Sequence, residues 1–135
     1  MKTILDFLTP KSKTFYIEGD PTIRQTVEKF DAHKFSVVAI IDEDGRFIST
    51  ISEGDILRYI KNIKNFNLMI AENVGISDIE RYRPYKALSI NTSLDEVIKL
   101  SLEQNFIPVV DDRNMYIGII KRKTIIDYLL ENKKI

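Results

Sequence analysis

The chain has 135 residues, 44% apolar and 30% charged, which fits one soluble domain of ordinary size or two very small halves sharing a core. Twenty Lys and Arg balance twenty Asp and Glu, so net charge points to neither nucleic-acid nor membrane binding. The absence of cysteine excludes disulfides, thiolate metal sites and cysteine nucleophiles, and it fits a reducing cytoplasm.

Ile4, Leu5, Phe7 and Leu8 open the chain as a short apolar-periodic piece. Thr9-Pro10 stops it, because a residue before proline avoids the helical region. Thr14-Phe15-Tyr16-Ile17 is a strand candidate, and Glu18-Gly19-Asp20-Pro21-Thr22 is turn chemistry leading into a helix. That helix carries Ile23, Val27 and Phe30 on one face. Residues 35–41 predict a strand apolar enough to be buried on both faces. Asp42-Glu43-Asp44-Gly45 has the Asp-Gly signal of a hairpin, and residues 46–51 return as the next strand. Ser52 then starts a helix with Ile56, Leu57 and Ile60 on its buried face.

Residues 61–86 read as a connector holding a second short apolar piece, Val74-Gly75-Ile76-Ser77-Asp78-Ile79. The earlier order then returns. A strand over 87–90 and the turn Asn91-Thr92-Ser93 precede a helix over 94–102, with Leu94, Val97, Ile98 and Leu102 inward. A strand over 107–110, the turn Asp111-Asp112-Arg113-Asn114, a strand over 116–120 and a helix over 123–130 complete the chain. Asp42 to Asp111, Ser52 to Lys121, Asp55 to Thr124 and Tyr59 to Tyr128 are each 69 positions apart. A constant offset through strand, turn, strand and helix points to two copies of a β-α-β-β-α unit, neither large enough to bury its sheet alone.

Ser52 and Asp55 admit two readings. Ser-x-x-Asp is a capping pattern, worth about 1 kcal/mol, and local sequence alone favours it. The other reading is a nucleotide site: free N–H groups and the Ser52 hydroxyl toward phosphate, and the Asp55 carboxylate accepting from ribose hydroxyls. The duplication shifts the balance to the second.

With those repeats in view, the chain resembles a pair of CBS domains, or Bateman module. The resemblance rests on 35–42 with 47–57 and on 106–111 with 116–130. The family's Gly-x-x-(Ser/Thr)-x-x-Asp signature stands here as Ser49-Thr50-Ile51-Ser52-Glu53-Gly54-Asp55, with serine in place of glycine. The resemblance implies an α+β fold: two β-α-β-β-α CBS repeats packed through their sheets with pseudo-two-fold symmetry. It divides the chain into 1–63, a connector 64–86, and 87–135. It implies a regulatory, allosteric sensor binding an adenosine-containing ligand in the cleft between the repeats, with AMP, ADP or ATP the plainest. Cyclic di-AMP and S-adenosylmethionine are the alternatives.

On this basis Asp55 would hold ribose and Ser52 would approach phosphate. Adenine would lie against Tyr16, Ile17 and Phe35-Ser36-Val37, although Phe35 and Val37 also read as core. Thr9 and Pro10 would close one side. The second copy departs from the pattern, since Lys121 replaces Ser/Thr and Thr124 replaces Asp. Lys121-Arg122-Lys123 at a helix start opposes the dipole. These cations either face a phosphate chain or form a solvated basic turn neutralised by Asp111 and Asp112. One good site and one altered or empty site are expected. Arg81-Tyr82-Arg83-Pro84-Tyr85 reads as a surface linker or as a stacking and phosphate-pairing cluster.

No enzyme is expected. His33 is the single histidine and reads as a surface residue, and no H-E-x-x-H, P-loop or Rossmann glycine pattern occurs. No metal or cofactor is implied beyond the regulatory nucleotide. A different class of function is a ligand-free homodimerisation or protein-interaction domain, joined through exposed apolar residues of the helices over 56–63 and 125–130. No apolar run approaches the ~18 residues of a membrane span, and no signal peptide is evident. The ends of the chain read as those of a stand-alone module.

Overall fold

The computed structural model describes residues 2–33 and 36–132. In chain order the strands and helices are β1 (Leu8–Pro10), β2 (Tyr16–Glu18), α1 (Ile23–His33), β3 (Val37–Ile41), β4 (Phe47–Ser52), α2 (Glu53–Asn62), α3 (Leu68–Asn73), β5 (Leu88–Ser89), α4 (Leu94–Ser101), β6 (Phe106–Val110), β7 (Tyr116–Lys121) and α5 (Arg122–Glu131). Short 3-10 turns lie at Ile4–Phe7, Lys11–Lys13 and Ile76–Asp78. The order β-α-β-β-α therefore occurs twice, as β2 to α2 and as β5 to α5, giving the duplicated α+β fold that the spacing predicted.

The chain divides into two compact units. One holds residues 2–14, 44–47 and 85–132, and the other holds 15–33, 36–43 and 48–84. In the first unit the sheet order is β1-β7-β6-β5. β1 and β6 run antiparallel to β7, and β5 runs parallel to β6. Its core is Ile4, Phe7, Val97, Ile107, Val109, Ile120 and Ile125. The hairpin tip at 44–47 belongs here too, because Phe47 N–H donates to Asn114 O and Tyr116 N–H donates to Gly45 O, at 2.9 and 3.0 Å. Gly45 (φ +90°) and Asn114 (φ +63°) supply the left-handed backbone of the two turns.

In the second unit the sheet order is β2-β3-β4, with β2 parallel to β3. Val38 to Ile41 are all buried, as a run without polar alternation dictates. Ile17, Ile23, Phe30, Val38, Ile40, Ile51 and Ile56 form the core, joined from the connector by Ala71, Ile76 and Ile79. Each such isoleucine contributes roughly 1.5–3 kcal/mol of burial. The apolar pieces at Ile4–Phe7 and Ile76–Asp78, alike in sequence, are alike in form: both are 3-10 turns with buried isoleucine.

Three inward faces differ from expectation. Val27, Leu57 and Leu102 are exposed. On α1 the buried position is Thr26, whose hydroxyl donates to Thr22 O at 2.9 Å, so its polar atom is satisfied inside the helix. On α2 the buried position beside Ile56 is Asp55, a charged residue. The connector also contains α3, a six-residue helix that no periodicity announced. The Asn67 side chain caps it by accepting from Ile70 N–H, and Arg24 on α1 pairs with Glu72.

Candidate functional site

β4 ends at Ser52, whose backbone is extended (φ −114°, ψ 161°), and α2 begins at the next residue. Ser52 Oγ accepts from Asp55 N–H at 3.0 Å, and Asp55 Oδ2 accepts from Ser52 N–H at 2.9 Å. This reciprocal pair is a capping box, and it also suits the dipole, since the carboxylate lies in the first turn. Asp55 is only 3% exposed. Its other oxygen, Oδ1, accepts from Arg58 Nη2 and from Tyr82 N–H, each at 3.0 Å. A buried carboxylate needs such donors, and here three of them surround it.

A hollow of about 450 Å³ opens beside this carboxylate. Asp55, Arg58, Tyr59, Asn62 and Ile63 line it from α2, and Asp78, Glu80, Arg81 and Tyr82 from the end of the connector. The Arg58 guanidinium lies over the Tyr82 ring at 4.4 Å, and Arg83 lies over the same ring at 5.3 Å. Arg81 is half-buried and donates to three backbone carbonyls, those of Thr50, Ile76 and Ile79. Burial pushes its guanidinium below the ordinary value, and Asp55 and Asp20 act in the opposite direction. The segment 81–85 thus has a structural task at Arg81 and an exposed aromatic–cation cluster at Tyr82.

The other expected site residues are distributed as follows. Tyr16 and Ile17 are on β2, an edge strand of its sheet, with Ile17 in the core. Ser36 O accepts from Glu53 N–H at 2.9 Å, which brings the start of β3 to the first residue of α2. Val37 opens β3 and is half-buried. Phe35 lies outside the described residues. These residues share the second unit with Ser52 and Asp55. Thr9 and Pro10 are in the first unit, where β1 pairs them with Ile119 and Gly118. The leading segment that meets Asp55 within its own unit is Arg81-Tyr82.

Lys121 and Arg122 are also in the first unit. Lys121 is the exposed N-cap of α5 and gives that helix no side-chain hydrogen bond. Arg122 Nε donates to Ser101 O at 2.7 Å, satisfying a carbonyl at the end of α4, and Lys123 pairs with Asp127 at 2.8 Å. Two of the three cations thus have local partners, neither of them Asp111 or Asp112. A hollow of about 810 Å³ in this unit is lined by Tyr128, the repeat partner of Tyr59, and by Lys2, Thr3 and Asn91 to Asp95. It has no counterpart of the Asp55 carboxylate, whose place in the sequence is taken by Thr124.

Sequence reasoning missed Arg58 and Tyr82 as partners of Asp55. Arg58 was within reach of it, since i and i+3 share a helix face. Tyr82 stands in the 81–85 cluster singled out above, but at 27 positions' distance nothing in the sequence ties it to Asp55. Among the described residues no group of three His, Cys, Asp or Glu is placed to hold a metal ion. None of their helices is long and apolar enough to cross a membrane.

Known proteins give the architecture a context. The chain is similar to CbpB in complex with c-di-AMP, at 19% identity and a TM-score of 0.85, over 96% of this chain and 85% of that one. It is similar to a CBS domain protein from Streptococcus pneumoniae TIGR4, at 22% identity and a TM-score of 0.83, over 95% and 86%. It is also similar to CBSX2 in complex with AMP, at 19% identity and a TM-score of 0.75, over 99% and 100%. At such identities these likenesses speak to fold alone. No curated protein sequence matches the chain. The CBS domain family model matches twice, over residues 6–62 and 76–131, and the protein therefore belongs to the CBS-domain family, with two copies of that domain in one short chain.

Proposed function

We propose that this protein is a regulatory module that senses an adenosine-containing nucleotide at the start of α2, with AMP, ADP or ATP as the plainest ligand. The observation that carries this is a buried carboxylate, Asp55, at a helix N-terminus beside a 450 Å³ hollow. A carboxylate accepts hydrogen bonds from a ribose diol, and a helix start suits phosphate. The Ser52 hydroxyl accepts from Asp55 N–H and keeps its own hydrogen for a phosphate oxygen. Tyr16 and Ile17 lie on β2, an edge strand of its sheet, where the adenine would rest. Relatives in complex with AMP and with c-di-AMP support a nucleotide in general. Cyclic di-AMP is the next candidate and S-adenosylmethionine the third.

The role assigned is sensing, without a catalytic step. His33 is exposed, and its ring stacks on Phe15 with centroids 4.0 Å apart. Occupancy would be passed to a protein partner, and a reducing cytoplasm is the proposed setting. In the first unit the altered site at Lys121 and Thr124 would bind nucleotide weakly or not at all.

Thermal melting with AMP, ATP, cyclic di-AMP and S-adenosylmethionine tests the reading on wild type and on Asp55→Ala. A ligand at a hundred times its Kd adds about 2.7 kcal/mol, on the order of 10 °C for a domain this size. A shift in wild type that shrinks sharply in Asp55→Ala is expected. Equal shifts in both proteins, or none with any ligand, count against it.

A second reading, homodimerisation, has its own observation. Leu57 on α2 and Ile126, Leu129 and Leu130 on α5 are exposed apolar residues. Light scattering with and without nucleotide measures it. A dimer indifferent to nucleotide and dissolved by Leu130→Glu would make association the main role.

A further inference from the structure

We propose that Tyr82 and Arg58 form a latch that the protein closes on its own nucleotide site, and that binding a nucleotide opens it. The proposal rests on the nucleotide reading of Asp55 given above. A carboxylate offers about four acceptor positions, and a ribose diol brings two donors. At Asp55 three positions are taken, by Ser52 N–H on Oδ2 and by Arg58 and Tyr82 N–H on Oδ1. With the residue 3% exposed, a diol reaches the carboxylate only when a donor leaves. Ser52 N–H is fixed inside the helix cap, three covalent bonds from the hydroxyl that completes the box. Arg58 and Tyr82 are different: the Arg58 side chain is 45% exposed and residue Tyr82 64% exposed, both at the rim of the hollow.

The latch has a defined hinge. Arg81 is pinned by the carbonyls of Thr50, Ile76 and Ile79, so the chain is held firmly up to that residue. At Tyr82 and Arg83 the ties are the Asp55 hydrogen bond and the stack of Arg58, Tyr82 and Arg83, and the chain is held again at Tyr85 and Lys86 by Asn105 and Gln104. A nucleotide that takes Oδ1 displaces the Tyr82 N–H and the Arg58 guanidinium at one atom, and release begins immediately after the pinned arginine. The freed residues lead directly into the second repeat, so occupancy becomes a change in the chain that joins the two copies.

The duplication sharpens the point. Ile4 to Ile76 and Phe7 to Ile79 are each 72 positions apart, and the same offset carries Pro10 to Tyr82. Proline has no N–H, so the first copy's leading segment cannot make this bond. The latch is a property of one copy, and the same offset supplies a variant, Tyr82→Pro, that removes the amide donor at a place where the repeat already accepts proline.

The experiment uses the full chain, titrated with AMP and with cyclic di-AMP by calorimetry. Amide exchange at Tyr82 is followed by NMR in parallel. Without nucleotide the Tyr82 amide is expected to be protected, and at saturation to exchange at least tenfold faster. Arg58→Ala and Tyr82→Pro are expected to bind about tenfold more tightly than wild type, and binding seen only in these variants also supports the latch. A Tyr82 amide that stays protected while nucleotide is bound overturns the latch and leaves nucleotide sensing standing. Equal or weaker binding by both variants does the same. Absence of binding by wild type and both variants overturns the nucleotide reading and the latch together.

Discussion

Ser52 and Asp55 hold each other by two hydrogen bonds running in opposite directions, N–H of the first to Oδ2 of the second and N–H of the second to Oγ of the first, at 2.9 and 3.0 Å. The two residues do not carry equal weight. Ser52→Ala removes one acceptor and should cost about 1 kcal/mol, as an N-cap does. Asp55→Ala also leaves Ser52 N–H, Tyr82 N–H and a guanidinium without their shared acceptor, so about 2–3 kcal/mol is expected. Urea unfolding of the two variants checks the order; equal losses would show that the Oδ1 contacts contribute nothing.

Gly118 lies where β1 crosses β7. Its φ is +150°, and a Cβ there would stand 2.1 Å from the Thr9 carbonyl oxygen. The closest of the neighbouring atoms is backbone, so no side-chain rotation relieves the clash. Gly118→Ala should therefore destabilise the chain by roughly 2 kcal/mol or more. Gly19 (φ +80°) has nothing within 4 Å, so Gly19→Ala should cost only about 1 kcal/mol for its backbone conformation. Parallel denaturant melts compare them.

Gln104 is buried, and its side-chain amide serves the chain on both sides of it. Oε1 accepts from Lys86 N–H at 2.7 Å, and Nε2 donates to Lys86 O and Phe106 O at 3.1 and 3.2 Å. Gln104→Ala strands three backbone groups, and a loss of about 2 kcal/mol is expected. The specific signature is faster exchange of the Lys86 amide, seen by hydrogen exchange.

The Asp6 carboxyl is held below its ordinary value, first by the hydrogen bond from Thr3 N–H. A depressed folded-state value means that its contribution is complete above the unfolded value and is lost as pH falls through the folded one. Wild type and Asp6→Asn should therefore differ near neutrality and converge on acidification below about pH 4. A pH series of melting temperatures measures it; parallel curves would remove the linkage.

Much of the architecture was legible in residue order. The short apolar runs bounded by turn residues placed the strands, and the 69-residue offset exposed the duplication. Those signals are local, so they survive whatever the chain later packs against. α3 was not legible, because six residues give too few turns for a period to emerge, and its partner Glu72–Arg24 joins distant positions. Apolar spacing puts Val27 and Leu57 inward, yet Thr26 and Asp55 take the interior because their polar atoms find donors or acceptors close by.

Residue order by itself determined the CBS repeats, the helix start at Ser52 and the asymmetry between Asp55 and Thr124. Only the tertiary structure decided which groups surround that carboxylate. A donor 27 positions away and a guanidinium stacked on an aromatic ring are matters of where the backbone brings them, and burial in a poorly polarisable interior is what makes such neighbours obligatory for a charge.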